Sequence, residues 1–241
     1  MKLHGIKKRL RQSINNAATG GRFPLLHSME SVYQRLVQRD LAKLGIEDDF
    51  YPVAGAANYG LLYLIVRLAK ELPLKQVVEL GAGESTRLLD ALARNGTLSA
   101  KIVTIEHNDE WAARIEGNVR HDVICTGLME RAFDGVSFRG YDFSAVPLPG
   151  NIELLIVDGP PASTEQNRFA RLGAVDLLAL LNSEAFVVVL DDTERSGEML
   201  LIDKIESELH RRGKKFAKGQ IISSKRQTIF AGGAYERAAY F

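Results

Sequence analysis

The stretch Val77-Val78-Glu79-Leu80-Gly81-Ala82-Gly83-Glu84-Ser85-Thr86 constrains the fold more than any other part of the chain. It reads as a buried strand, a glycine turn and the start of a helix. Val77, Val78 and Leu80 suit a central parallel strand, which is covered on both faces. Gly81 and Gly83 let the backbone turn tightly and approach a ligand with no Cβ in the way. Ser85 and Thr86 suit a helix start ahead of Arg87–Leu92, and the free N–H groups there favour an anionic ligand group. A dinucleotide fingerprint needs a third glycine where this chain has Thr86. Glu79, at the carboxyl end of the strand, offers an acid to an ammonium group, which a dinucleotide does not present there.

The pattern then repeats. Lys101–Glu106 is a second strand ending in an acid, placed to accept both ribose hydroxyls of a nucleoside; His107 and Asn108 follow at its mouth. Asp109–Arg120 is helical, with Trp111 as packing. Asp122–Thr126 is a third strand, followed by Gly127-Leu128-Met129. Val136–Arg139 reads as a short extra strand, and Tyr141-Asp142 as a turn or a site. Leu154–Asp158 is a fourth strand ending in an acid, and Gly159-Pro160-Pro161 fixes a rigid loop after it. A helix over Gln166–Leu181 leads to a fifth strand, Phe186–Leu190, which ends in Asp191-Asp192. A helix follows over Ser196–Arg212, then two strands near Phe216–Ile222 and Thr228–Ala231. Right-handed crossovers bring all the parallel strands' carboxyl ends to one edge, where α/β sheets bind ligands. Glu79, Glu106, Asp158, Asp191 and Asp192 all fall there.

The first fifty residues are different. No acid precedes Glu30, and Lys2, Lys7, Lys8, Arg9 and Arg11 make a basic start. Two readings stand: a solvated arm, or a contact for an anionic surface. Met29, Val32, Leu36, Val37, Leu41 and Leu44 share a helical stripe. The expected organisation is a basic arm and helical extension over 1–50, and one α/β domain over 51–241. Asn58 and Tyr59, just ahead of the first strand, are placed either to touch a ligand or to pack. A net charge of +1 gives no global field for nucleic acid. Cys125 is the only cysteine; this excludes an internal disulfide and fits a reducing, cytoplasmic compartment. No apolar run is long enough to span a bilayer, and no signal peptide is legible.

With these residues in view, the chain resembles the class I S-adenosylmethionine-dependent methyltransferases, whose first motif is an acid-x-Gly-x-Gly turn. The resemblance covers about Tyr51 to the end. It implies a Rossmann-like, mostly parallel seven-stranded sheet with a C-terminal antiparallel hairpin and helices on both faces. It implies cofactor binding by Glu79, Gly81, Ala82, Gly83, Ser85, Thr86, Glu106, His107 and Asp158, with Gly127 and Leu128 closing over the adenine. Val157-Asp158-Gly159-Pro160-Pro161 and the later Val189-Leu190-Asp191-Asp192-Thr193-x-Arg195 look like an uncharacterised subgroup near small-molecule and sugar O-methyltransferases. Asp158, Asp191 and Asp192 are then the catalytic candidates. They are also candidate ligands for a divalent metal such as Mg²⁺, as in catechol-type enzymes, although those have an acid-amide pair where this chain has two acids.

The expected activity is methyl transfer to a hydroxyl of a small molecule or glycan. A non-catalytic cofactor-binding subunit, a nicotinamide-dependent oxidoreductase and an RNA methyltransferase are the competing readings, and a homodimer is left open.

Overall fold

The computed structural model describes residues 29–52 and 56–241. The basic arm and Val53-Ala54-Gly55 lie outside them. A first helix, α1, covers residues 29–44. Then come α2 (Tyr59–Glu71), β1 (Gln76–Leu80), α3 (Glu84–Arg94), β2 (Lys101–Glu106), α4 (Asp109–Glu116) and β3 (Asp122–Cys125). Two hairpin strands follow, β4 (Leu128–Phe133) and β5 (Val136–Tyr141). The chain ends with β6 (Leu154–Val157), β7 (Ala185–Leu190), α5 (Ser196–Arg211), β8 (Ala217–Ile222) and β9 (Arg226–Gly233).

Seven strands form one sheet in the order β3-β2-β1-β6-β7-β9-β8. The first five run parallel, and β9 runs antiparallel to both β7 and β8. This is the Rossmann-like sheet with its closing hairpin. The order reverses between β1 and β6, and a crevice opens at such a switch point. β4 and β5 make a separate two-stranded sheet. Of this pair the sequence offered only the second, because β4 begins where an adenine-covering loop was expected.

The sheet separates two cores. On one face Val77, Ile102, Leu154, Ile156, Val187 and Val189 meet α1, α2 and α3. On the other, Val78, Leu80, Val103, Ile105, Leu155, Val157, Val188 and Leu190 meet α5 and the segment before β7. Strand side chains alternate between faces. That alternation fixes the acids as well: Glu79 follows Val77 onto the face covered by α3. Residues Ala170–Leu180, expected as one α-helix, form successive 3₁₀ turns instead. Nearly every side chain there is buried, including Leu172, Ala174, Val175, Leu177 and Leu178. Only Asp176 and Ala179 are exposed, so packing rather than an amphipathic stripe sets the conformation.

Candidate active site

A cleft of about 1130 Å³ opens over the carboxyl ends of β1, β2, β6 and β7. Its floor is the contact between two glycines. Gly81 has φ of +93°, and a Cβ on it would lie 2.8 Å from the Gly159 nitrogen. A Cβ on Gly159 would in turn lie 2.5 Å from the Gly81 Cα and 2.6 Å from the Tyr141 hydroxyl. The loops after β1 and β6 therefore touch backbone to backbone, which requires glycine at both positions. The buried Tyr141 hydroxyl beneath them has no hydrogen-bond partner among the described residues. Gly83, at the start of α3, has nothing within 4 Å of where its Cβ would be, so its free side is the cleft.

Ala82, Gly83, Glu84 and Ser85 line this side with Glu106, His107, Asn108 and Trp111. Glu106 is held by backbone donors: Ala82 N–H (3.0 Å), His107 N–H (2.8 Å) and Asn108 N–H (2.9 Å). The His107 ring nitrogen Nδ1 is 2.7 Å from the same carboxylate. Trp111, expected as packing, is 40% exposed and lies along the cleft. Its indole N–H donates to the Ala82 carbonyl at 2.7 Å. An apolar ring with one polar edge satisfied suits the wall of a nucleoside pocket.

Glu79 does not line the cleft. It is 0% exposed and accepts hydrogen bonds from Thr86 Oγ1 (2.7 Å) and Thr104 Oγ1 (2.8 Å). Thr104 is its register partner on β2. Thr86 in turn accepts from the Gly83 N–H at 2.8 Å. Burial raises the Glu79 pKa to about 7, against the three hydroxyls of Ser85, Thr86 and Thr104. The expected contact between Glu79 and a ligand ammonium is corrected accordingly: strand alternation turns this carboxyl under α3, where it braces the turn. Thr86 is buried with it, and Ser85 alone of the pair reaches the cleft. Gly127 and Leu128 do not line the cleft either. The Gly127 carbonyl accepts from Asp142 N–H (2.9 Å), and Leu128 begins β4. Asn58 caps α2 and bonds Ser223 Oγ (2.9 Å), while Tyr59 packs on the α2 core; neither lines the cleft.

The opposite side brings Asp158, Asp191 and Asp192 together, with one carboxylate oxygen of each within 4.8 Å of the others. Asp158 and Asp192 line the cleft with Arg171 and Arg195. Arg171, 5% exposed, donates to the carbonyls of Pro160 (3.2 Å), Asp158 (2.8 Å) and Asp191 (3.2 Å). It also pairs with Asp158 (3.1 Å) and Asp192 (3.2 Å), and lies 3.6 Å from the buried Glu198 of α5. Lys225, from the β8–β9 turn, pairs with Asp191 (3.1 Å) and Asp192 (3.3 Å). Arg195 pairs with Asp192 at 2.7 Å. Asp192 itself is left-handed, with φ of 59°, a conformation that aspartate tolerates better than most side chains.

Burial is the largest influence on Asp158, Asp191, Arg171 and Lys225. It raises Asp158 well above the usual carboxylate range, helped by the neighbouring Asp191. Asp191 is buried too, but Lys225, together with the Gln227 amide, outweighs that and lowers its pKa. Asp158 alone of the three is not fully buried, its side chain being 14% exposed. Hard divalent cations need several oxygens free to ligate. Here Arg171, Lys225 and Arg195 already engage those oxygens, so the cluster does not fit a metal. Arg171 and Lys225 had gone unnoticed in the sequence. A charged side chain inside the apolar run Ala170–Leu181 was a usable signal for the first; nothing marked the second, in a polar turn.

Among the described residues, no helix is long and apolar enough to cross a membrane. No family model and no curated protein matches the chain. Solved structures do. An O-methyltransferase from Bacillus cereus in complex with SAH is 14% identical, with 84% of this chain and 90% of that one covered at a TM-score of 0.48. A precorrin-6Y C5,15-methyltransferase from Geobacter metallireducens is 17% identical, with 78% and 96% covered at 0.47. An SAH-bound methyltransferase from Podospora anserina is 13% identical, with 81% and 86% covered at 0.48.

Proposed function

We propose that the chain is an S-adenosylmethionine-dependent methyltransferase acting on a hydroxyl of a small molecule or glycan. The observation that carries this reading is one cleft with two dissimilar walls: a glycine turn with Glu106 on one, and an acid with a raised pKa on the other. The cofactor fits the first wall. Glu106 would take the ribose hydroxyls, and Trp111 would flank the base. The start of α3 would take the carboxylate, with Gly83 leaving room for the ligand. When bound, the cofactor supplies an electrophilic methyl group on a sulfonium.

The second wall suits an acceptor. A cleft of about 1130 Å³ exceeds the ~300–1,000 Å³ of an ordinary ligand pocket, which leaves space beside the cofactor. An oxygen nucleophile must lose its proton as it attacks, whereas a neutral amine attacks through its lone pair. Asp158, raised well above the usual carboxylate range by burial and Asp191, is the residue suited to accept that proton. On this reading Asp158 would take the acceptor's O–H proton as that oxygen attacks the methyl group that the bound cofactor would supply. Arg171 and Arg195 hold the acids in place. No step passes through a metal.

The competing oxidoreductase reading is disfavoured by Thr86, which fills the third-glycine position and is committed to Glu79. Isothermal calorimetry with S-adenosylhomocysteine and with NADH separates the two. Binding of the first with no binding of the second is expected; the reverse would replace this reading. Turnover across a panel of alcohols, phenols and sugars then separates an enzyme from a cofactor-binding subunit.

A further inference from the structure

We propose that the Lys225 ammonium is an internal counter-cation standing where a divalent metal would otherwise bind, and that removing it turns the Asp158–Asp191–Asp192 cluster into a divalent-cation site. The inference concerns the cluster alone and does not rest on the methyltransferase reading.

The first observation is spacing. Two oxygens on one hard cation, each about 2.1–2.4 Å from it, lie at most about 4.2–4.8 Å apart. The nearest carboxylate oxygens of the three aspartates all lie within 4.8 Å of one another. The three oxygens are close enough together for one cation to touch each of them.

The second observation is Asp192 Oδ1. It is buried and accepts no hydrogen bond among the described residues, with the Lys225 ammonium 3.3 Å away as its ion-pair partner. A buried carboxylate oxygen in that state is held by charge alone. The ammonium's other partners are Asp191 Oδ2 at 3.1 Å and the Ala56 carbonyl at 3.0 Å. The ammonium thus has two hydrogen-bond acceptors and one ion-pair contact, and all three are oxygens, the ligand type a hard dication takes.

The third is charge. Arg171 and Arg195 already pair with Asp158 and Asp192. With Lys225 they make three cations against four carboxylates, since Arg171 also lies 3.6 Å from the buried Glu198. A dication added to this set would bring uncompensated charge into a buried site. With Lys225 neutral, Asp191 loses its ion-pair partner and Asp192 one of its three, and a cation of the same reach can replace it.

The test uses Mn²⁺ with the full chain. Calorimetry on the wild type is expected to show no binding up to about 1 mM. Lys225→Met is expected to bind Mn²⁺ at least about tenfold more tightly than that limit, and the double variant with Asp191→Asn is expected to lose the gain. If Lys225→Met does not fold alone, Mn²⁺ added during refolding is expected to restore its cooperative melt. Mn²⁺ binding by the wild type that Asp191→Asn abolishes would overturn the proposal. So would a folded Lys225→Met with no gain, a gain that survives Asp191→Asn, or an unfolded Lys225→Met that Mn²⁺ fails to rescue.

Discussion

On the β1–β2 side of the cleft one acid, Glu106, is held by backbone N–H groups. On the β6–β7 side three acids are held by long cationic side chains, Arg195 from the same loop as Asp192, and Arg171 and Lys225 from two other segments. The first arrangement is local: the strand, its turn and the next helix supply nearly every partner. It leaves the Glu106 carboxylate at the cleft while costing little side-chain entropy. The second is assembled from afar and binds its charges to one another. It leaves one partly exposed acid, Asp158, with a proton affinity set by burial. A wall of the first kind suits binding, and a wall of the second kind suits proton transfer.

The largest effect expected is on the second wall. Asp158→Asn should lower kcat by about 10²–10⁴-fold, the usual range for a lost general base, with S-adenosylhomocysteine affinity unchanged. A loss of affinity instead would make Asp158 the partner of the cofactor's ammonium. In the wild type, kcat should rise with pH through a limb above the usual carboxylate range, because Asp158 must be ionised to accept a proton.

Next are the glycines. Gly81→Ala should destabilise the fold by roughly 2–4 kcal/mol, as a Cβ meets both the left-handed backbone and Gly159. Gly83→Ala should leave the melting temperature unchanged and weaken the cofactor, since its Cβ enters only the cleft. Equal effects from the two would erase the distinction between floor and opening.

Glu79→Gln has a smaller effect that depends on pH. Between its ordinary 4.5 and about 7, the folded chain holds a proton that the unfolded chain releases. Stability therefore falls as pH rises across that window. The variant lacks this cost, so its advantage over wild type should grow from pH 4.5 to 8, by up to about 3 kcal/mol. A pH-independent difference in urea midpoints would mean that Glu79 is ionised throughout. Smallest of all, EDTA should change neither the melting temperature nor turnover, because Arg171, Lys225 and Arg195 already occupy the acids.

The same contrast explains what could be read in advance. The succession of strands along the chain, the glycine turn and the acid-ended strands follow from local patterns of apolar runs and glycines, and these are visible in sequence. So was the gathering of Asp158, Asp191 and Asp192. The direction of Glu79 required knowing which face α3 covers, and period-two alternation alone does not tell which face that is. The 3₁₀ segment was hidden because a run with only Asp176 and Ala179 exposed has no stripe to count. Strand β4 was hidden because Glu130 and Arg131 interrupt any apolar run. Lys225 lies 33 residues from Asp192 by numbering, and contacts at such separation leave no local trace.

The central claim is that the glycine turn and Glu106 form the seat of a sulfonium nucleoside. Calorimetry with S-adenosylhomocysteine on the wild type and on Glu106→Ala tests it most directly. Micromolar binding by the wild type, weakened about ten- to hundredfold in the variant through loss of charge-assisted hydrogen bonds, is the expected result. No binding by the folded wild type at millimolar ligand, or equal binding by both proteins, would contradict it.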